Sequence, residues 1–320
     1  MTTRIIGTGS ALPETVVTNE YLSTIMDTSD EWITTRTGIR ERRLVKTETT
    51  ASLSIQAATR AMTNAGIMAQ DIELIIVATL TGDYLTPSTA CEVQAAIGAD
   101  RAVVFDVNAA CSGFLYALNI AHAFLQSGMY NNALIIGVEV LSKMVDWSDR
   151  RTCVLFGDGA GAAIVKRDEV GIIACDLGAD GAKGKALICQ DRVSNNPVVS
   201  NKVELGFVEM DGQEVYKFAV STVPISIEKV LGQAGLKAED IDLFVFHQAN
   251  IRIIQAVAKR LGISEDRFPI NIDHCGNISA ASVPILLDEI NQKGMLKRGD
   301  RIMLVAFGGG LTWGTTIMVW

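Results

Sequence analysis

Three residues of this chain have the type and setting for nucleophilic and proton-transfer chemistry: Cys111, His247 and Asn277. Cys111 stands in FDVNAACSGFLYAL, where a strand-like run gives way to a helix-like one. A thiol at a helix N-terminus feels the positive end of the dipole, which favours the thiolate. Ser112 and Gly113 leave its approach uncrowded, and the Cys111 backbone N–H can face an oxyanion. The alternative is a buried structural thiol, the role expected of Cys91, Cys153, Cys175, Cys189 and Cys275, with Cys275 the least secure because it lies two residues from Asn277. His247 ends the strand-like run LFVFH, so an apolar strand delivers it to an edge. There it is either structural or a proton carrier and hydrogen-bond donor. His122, inside a helix-like segment, reads as a packed or surface side chain. Asn277 in DHCGNISAASVPILL is either the N-cap of a following helix or an amide donor to an enolate or oxyanion.

Three further patterns bear on ligands. FGDGAGAA at 156–163 lacks a full phosphate-loop or dinucleotide signature and reads as a tight structural turn. AFGGGLTWG at 306–314 follows a strand-like run, and its three adjacent glycines let backbone N–H groups approach a ligand closely. Trp32 and Arg36, four residues apart, share a face if their segment is helical. An indole that stacks on a base beside a guanidinium that pairs with phosphate suits a nucleotide tail; an indole packed under a salt-bridged arginine is the other reading.

The elements that must position these residues follow from hydrophobic periodicity. Short apolar runs at 4–7, 74–78, 102–107, 133–138, 162–165, 243–246, 301–306 and 315–319 predict buried strands. Segments at 51–65, 112–127, 218–234 and 251–261 carry helical spacing, so the chain is α/β. AGIMAQDIELIIVA at 65–78 echoes AGLKAEDIDLFVFH at 234–247, with six of fourteen positions identical at an offset of 169. IGADRAVVFDVNAACSG echoes LGISEDRFPINIDHCGN, with Asp-Arg pairs offset by 166. The chain therefore divides into duplicated halves, residues 1–170 and 171–320, related by a pseudo-twofold axis. The offset of 166 carries Cys111 onto Asn277, both opening equivalent helices. Site residues of α/β folds gather at such strand ends and helix starts.

Composition sets outer bounds. Hydrophobic residues make up 48% of the 320 residues and charged residues 20%, which suits a large buried core. A net charge of −8 argues against nucleic acid or an anionic membrane as partner. The six cysteines show no metal spacing, and no apolar run reaches transmembrane length or has signal-peptide form. Reduced thiols in the cytoplasm, no metal and no membrane partner are expected.

TSDEWITTRTGIRER, FDVNAACSGF, FGDGAGAA, HQANIRI, GNISAASVP and FGGGLTWG, in this order, resemble β-ketoacyl-[acyl-carrier-protein] synthase III of the thiolase fold. The resemblance runs from Ile5 to the C-terminus. It implies a catalytic Cys, His and Asn at Cys111, His247 and Asn277, with an oxyanion hole from the N–H groups of Cys111 and Gly309. The cysteine would take an acyl group from acyl-CoA, and decarboxylating malonyl-carrier protein would then attack the thioester to start fatty acid synthesis. No cofactor is implied, since acyl-CoA is a substrate. It also implies a coenzyme A path along Trp32, Arg36, Arg150 and Asn250, and a docking patch for acyl carrier protein at Lys217, Arg252, Lys259 and Arg260. A homodimer is implied, with Thr86 in an acyl pocket near the partner subunit. Thr86 stands where some members carry Phe, which hints at a primer longer than acetyl, and Ile278 departs from the usual Thr. A relative that primes a polyketide or other specialised pathway, or transfers acyl groups elsewhere, is the alternative. A non-catalytic acyl-CoA-binding module is the non-enzyme one.

Overall fold

The computed structural model describes residues 1–201 and 206–320. Its strands form two main sheets. The first runs Thr2–Ala11, Asp158–Asp168, Asn132–Val140, Leu74–Ala78, Val103–Val107; the second runs Leu243–Phe246, Arg301–Gly308, Thr312–Val319, Ile172–Ala179. Burial alternates along the strands as a two-residue period requires. In Leu74–Ala78, Leu74, Ile76 and Ala78 join a central apolar cluster, while Ile75 and Val77 join one on the outer face. Ile302, Leu304 and Ala306 likewise face the centre, with Met303, Val305 and Phe307 outward. Two helices, Gly113–Gln126 and Ser282–Gln292, lie in the central cluster between the sheets. The helices Thr50–Ala65 and Thr89–Ile97 cover the first sheet, and Gly212–Ala234 and Ile251–Leu261 cover the second. Five layers result, with sheets as the second and fourth.

The repeat is visible in strand register. Ile75 pairs with Leu134 in the first sheet, and Phe244 with Met303 in the second, both displaced by 169. The last strand of the first sheet ends at Asp168, and the first of the second begins at Ile172.

The turns that open the central helices are not related by the expected offset of 166. The helix-opening turns are Ala110–Ser112 and Ser279–Ala281, again displaced by 169, and each begins on a non-glycine residue with positive φ, 44° at Ala110 and 45° at Ser279. Asn108 and Asn277 accept equivalently, from Ala110 N–H at 3.2 Å and Ser279 N–H at 2.9 Å. Cys111 thus corresponds to Ala280, and Asn277 to Asn108. The offset of 166 is local to the Asp-Arg pair: 169 holds before it, in strand Leu74–Ala78, and resumes at these turns, three extra residues in the second half, where the short helix Ile272–Cys275 stands, restoring it.

FGDGAGAA is also not a simple turn. Strand Asp158–Asp168 begins within it, and a Cβ at Gly161 would lie 2.6 Å from the Ile285 nitrogen. The glycine lets a central helix approach the sheet closely.

Candidate active site

The sequence positions the three chemical residues by different means. Strand Leu243–Phe246 runs straight into His247, whose N–H bonds the Val305 carbonyl at 2.7 Å. Cys111 sits in a tight turn entered through the left-handed Ala110, which aims the chain sharply off the end of strand Val103–Val107. Left-handed backbone at a non-glycine residue costs on the order of 1–3 kcal/mol and persists where packing enforces it. Asn277 follows Gly276 and is tied down by main-chain bonds to Leu155 and Gly157, at 2.9 and 3.0 Å.

All three line one cavity of about 130 Å³, with Phe307 and Gly308 beside Cys111 and His247. Leu155, Phe156, Leu187, Met210 and Ile253 make its walls largely apolar. The same cavity reaches Asn250, so a path runs from the sulfur to the start of helix Ile251–Leu261.

The helix ends near the site differ from the outer ones. The four outer helices are capped by Thr49, Ser88, Asp211 and Asn250, each accepting backbone N–H bonds, and each ends on a left-handed glycine. Helices Gly113–Gln126 and Ser282–Gln292 have no side-chain cap. Their N-terminal donors and dipoles are left toward the turns that hold Cys111 and Ser279.

Burial and local donors act on the Cys111 thiol in opposite directions. Burial pushes the Cys111 thiol up to about 11; the Ser279 hydroxyl and the N–H groups of Gly309 and Cys111 pull the other way, and Glu139 adds to the rise. Desolvation outweighs these donors in setting the direction of the shift, and the helix-start dipole acts against it. Burial also drives the His247 imidazole down to about 3, which keeps it neutral. Its Nδ1 is buried without a partner among the described residues, and Phe307 meets the ring edge-on at 5.5 Å between centroids. A neutral imidazole retains one N–H to donate without adding charge. Asn277 Oδ1 is spent on Ser279 N–H, which orients the amide so that Nδ2 can donate into the cavity.

Gly308 is pressed against the nucleophile: a Cβ there would lie 2.6 Å from Cys111 Cβ and 2.7 Å from Sγ. The Gly308→Ala variant should lose about 1–3 kcal/mol of stability from overpacking. A displaced sulfur should slow Cys111 acylation by about 10²-fold. Urea unfolding and rapid-quench mass spectrometry check the pair; wild-type values in both would show that the contact is readily relaxed.

The remaining expected residues fall in three places. Helix Asp30–Thr37 does put Trp32 and Arg36 on one face, with the Arg36 guanidinium 4.6 Å and that of Arg150 5.2 Å from the indole centroid. Arg150 pairs with Asp27 at 3.2 Å, whereas Arg151 turns to Asp149 at 2.9 Å. Asn250 donates to the Arg36 carbonyl at 3.0 Å, joining this cluster to the cavity. Arg252 bonds the Thr35 carbonyl at 2.7 Å, Lys217 is paired with Glu214 at 2.7 Å, and Lys259 and Arg260 are exposed in the last turn of their helix. Thr86 is exposed and does not line the cavity of its own chain.

Sequence reading missed Glu139, Ser279 and Gly308. Glu139 was signalled by its charge inside the apolar run LIIGVEV, and Gly308 by the glycine cluster; Ser279 carried no local signal. A possible metal-ligand cluster, His274, Cys275 and Glu289, lies outside the cavity lining, and its Glu289 is already bonded to Lys293 at 2.6 Å and Asn271 at 3.0 Å.

Comparison with known proteins agrees with this arrangement. Residues 105–181 match the family described as 3-oxoacyl-[acyl-carrier-protein (ACP)] synthase III, and residues 231–320 match its C-terminal part. A β-ketoacyl-[acyl-carrier-protein] synthase III of Clostridium acetobutylicum is 53% identical over 318 residues, covering 99% of this chain and 98% of that protein. The crystal structure of the 3-oxoacyl-[acyl-carrier-protein] synthase III of Aquifex aeolicus superposes with a TM-score of 0.93 at 47% identity, covering 99% of this chain and all (100%) of the other. The priming β-ketosynthase of the R1128 polyketide biosynthetic pathway gives 0.92 at 35% identity, over 99% and 96% of the two chains. The thiolase-like fold and these likenesses establish that the chain belongs to the β-ketoacyl-[acyl-carrier-protein] synthase III family of condensing acyltransferases.

Proposed function

We propose that the protein transfers an acyl group from acyl-CoA to Cys111 and condenses it with malonyl-[acyl-carrier-protein] to begin fatty acid synthesis. The observation that carries this reading is the convergence of Cys111, His247 and Asn277 on one largely apolar cavity. In the first half-reaction the sulfur attacks the acyl thioester, the oxyanion meets the N–H groups of Cys111 and Gly309, and coenzyme A leaves. In the second, the malonyl thioester loses CO2. Neutral donors on His247 and Asn277 Nδ2 hold the enolate oxygen, and its carbon attacks the Cys111 thioester. Apolar walls keep water from the thioester between the two steps.

Coenzyme A would lie along Trp32, Arg36, Arg150 and Asn250, with the adenine entering between the indole and the Arg150 guanidinium. The acidic carrier protein would dock on Arg252, Lys259, Arg260 and Lys217, a local basic surface on a chain of net charge −8. The Arg252→Glu variant should raise the KM for malonyl-carrier protein by about tenfold or more, a cost of about 1.4 kcal/mol or more, with that for acyl-CoA little changed. Steady-state kinetics with each substrate varied in turn decides this; equal effects on both would remove Arg252 from carrier docking.

A homodimer suits the free edge of strand Val103–Val107 and the exposed Val103, Tyr84 and Leu85 nearby in the chain. A partner there would also cover Thr86. Cytoplasmic location fits six free thiols, and no helix among the described residues is long and apolar enough to cross a membrane. Priming of a polyketide pathway is the second reading, favoured by the likeness to the R1128 enzyme but at 35% identity against 53% for the clostridial synthase. Product analysis with acetyl-, branched and longer acyl-CoA against malonyl-carrier protein tests the proposal. Release of CO2 with formation of β-ketoacyl-carrier protein is expected; free fatty acid or no product would contradict it.

A further inference from the structure

The two N–H groups that would receive the acyl oxyanion come from different halves of the chain. Cys111 stands in the turn Ala110–Ser112, and Gly309 follows the strand Arg301–Gly308. Their surroundings are pressed together: a Cβ at Gly308 would lie 2.6 Å from Cys111 Cβ, and one at Gly309 3.2 Å from Ala110 Cβ. No covalent link sets the spacing of the two donors. Apolar contact is non-directional and does not set it either, so a directional bond must.

Thr312 supplies that bond. It opens strand Thr312–Val319 and pairs with Gly308 across the hairpin. Its Oγ1 lies 3.0 Å from the Gly309 carbonyl, 3.0 Å from Ser112 Oγ and 3.3 Å from the Ala109 carbonyl. One hydroxyl hydrogen serves one acceptor at a time, and the Ser112 hydroxyl can donate back to Thr312 Oγ1. Ser112 is wholly buried, so water does not compete for this bond. A single oxygen thus grips Gly309 itself and the two residues that flank Ala110 and Cys111.

The duplication shows that the brace is particular to the nucleophile side. Displaced by 169, Gly308 corresponds to Glu139. Glu139 pairs with Gly159 as Gly308 pairs with Thr312, so a residue without a side chain takes the place of Thr312 in the first half. Ser112 corresponds to Ala281, which has no hydroxyl. The strand-end donors differ as well. Val140, the counterpart of Gly309, bonds Thr81 Oγ1 with its N–H at 2.8 Å. The Gly309 N–H bonds no oxygen among the described residues. One half satisfies its strand-end donor internally; the other leaves it open beside Cys111 and braces the residue that carries it.

We propose that Thr312 is a positioning residue for acyl transfer, its hydroxyl holding the Cys111 and Gly309 N–H groups at the spacing that receives one oxyanion. This rests on Cys111 being the acylated residue and on the Gly309 N–H facing its oxyanion. Backbone donors stabilise a developing charge only when they are already in place, so loosening one against the other weakens the pair. Thr312 does not line the cavity. It therefore acts through the two peptide segments and not by touching substrate.

The test is Cys111 acylation across a range of acetyl- or butyryl-CoA concentrations, whichever wild type uses faster, read by rapid-quench intact mass. Wild type is compared with Thr312→Val, Thr312→Ser and Ser112→Ala. Alkylation of Cys111 by iodoacetamide, which forms no oxyanion, is followed in parallel. Thr312→Val should lower the limiting acylation rate by about 10- to 100-fold. The half-saturating acyl-CoA concentration should stay within about twofold, as for an interaction made only in the transition state. Thr312→Ser keeps the hydroxyl and should acylate close to the wild-type rate; Ser112→Ala cuts one arm and should fall between. Alkylation should match wild type in every variant. Equal losses of acylation and alkylation, the mark of a general structural role, would overturn the proposal. So would a wild-type limiting rate in Thr312→Val, or a serine variant as slow as the valine one. If Thr312→Val fails to fold, Ser112→Ala decides: slowed acylation with normal alkylation supports the brace, and normal acylation overturns it. Wild-type protein that never acylates Cys111, although iodoacetamide reaches it, would sink the proposed function and this inference with it.

Discussion

Replacing Cys111 by alanine should abolish the acyl-enzyme and reduce condensation from acyl-CoA by about 10⁴- to 10⁶-fold. Nothing else in the cavity can take over. The five other cysteines do not line it, and Cys153 and Cys275 are buried elsewhere. Little stability should be lost, since a small apolar residue replaces a buried thiol and the homologous position in the second half is already Ala280. Activity and folding are thus separable, and intact mass after mixing with acyl-CoA is the check. Normal condensation by the alanine variant would remove Cys111 from the mechanism.

His247→Ala and Asn277→Ala should have the second-largest effect, and a selective one. Each removes a donor to the enolate oxygen, a loss of about 10²- to 10³-fold in condensation. Acyl transfer to Cys111 should continue near the wild-type rate, because its oxyanion is held by backbone N–H groups. The state of His247 sharpens the expectation. Its folded value is depressed to about 3 by burial, so the imidazole stays neutral throughout the physiological range. Condensation should show no loss between pH 8 and 5 attributable to a titrating histidine near 6.5. Single-turnover measurement of each half-reaction tests this. Equal loss of both halves in either variant would contradict the division of labour.

How much of this was legible in the sequence depended on what kind of physics decided each feature. Buried strands declared themselves through short apolar runs, and 243–246 and 74–78 were read to the residue. Segment 251–261 carried clear helical spacing between Asn250 and Gly262, and its boundaries held. Short edge pairs such as Val16–Thr18 with Glu41–Arg43 were missed because three residues carry no periodicity. The duplication is readable, but its register at Cys111 is not, since the 166 spacing is local to the Asp-Arg pair and the 169 spacing resumes at the helix-opening turns. Cys111, His247 and Asn277 stand out as candidates by their places at element ends, with a structural alternative for each, and the family resemblance names all three. The burial of Cys111 was not legible, because desolvation depends on layers that close over it from both halves. Glu139, a carboxyl inside the apolar run LIIGVEV, is the clearest local conflict: it is buried and held by Thr79, Leu80 and Thr81, partners the sequence did not place beside it.

The central claim is that Cys111 carries the acyl group between two partners. The most direct measurement is peptide-level mass mapping of wild-type protein exposed to acyl-CoA alone and then chased with malonyl-carrier protein. The account predicts one acyl adduct, on the peptide containing Cys111, which disappears as β-ketoacyl-carrier protein forms. An adduct on any other residue, or one on Cys111 that the chase leaves in place, would contradict it.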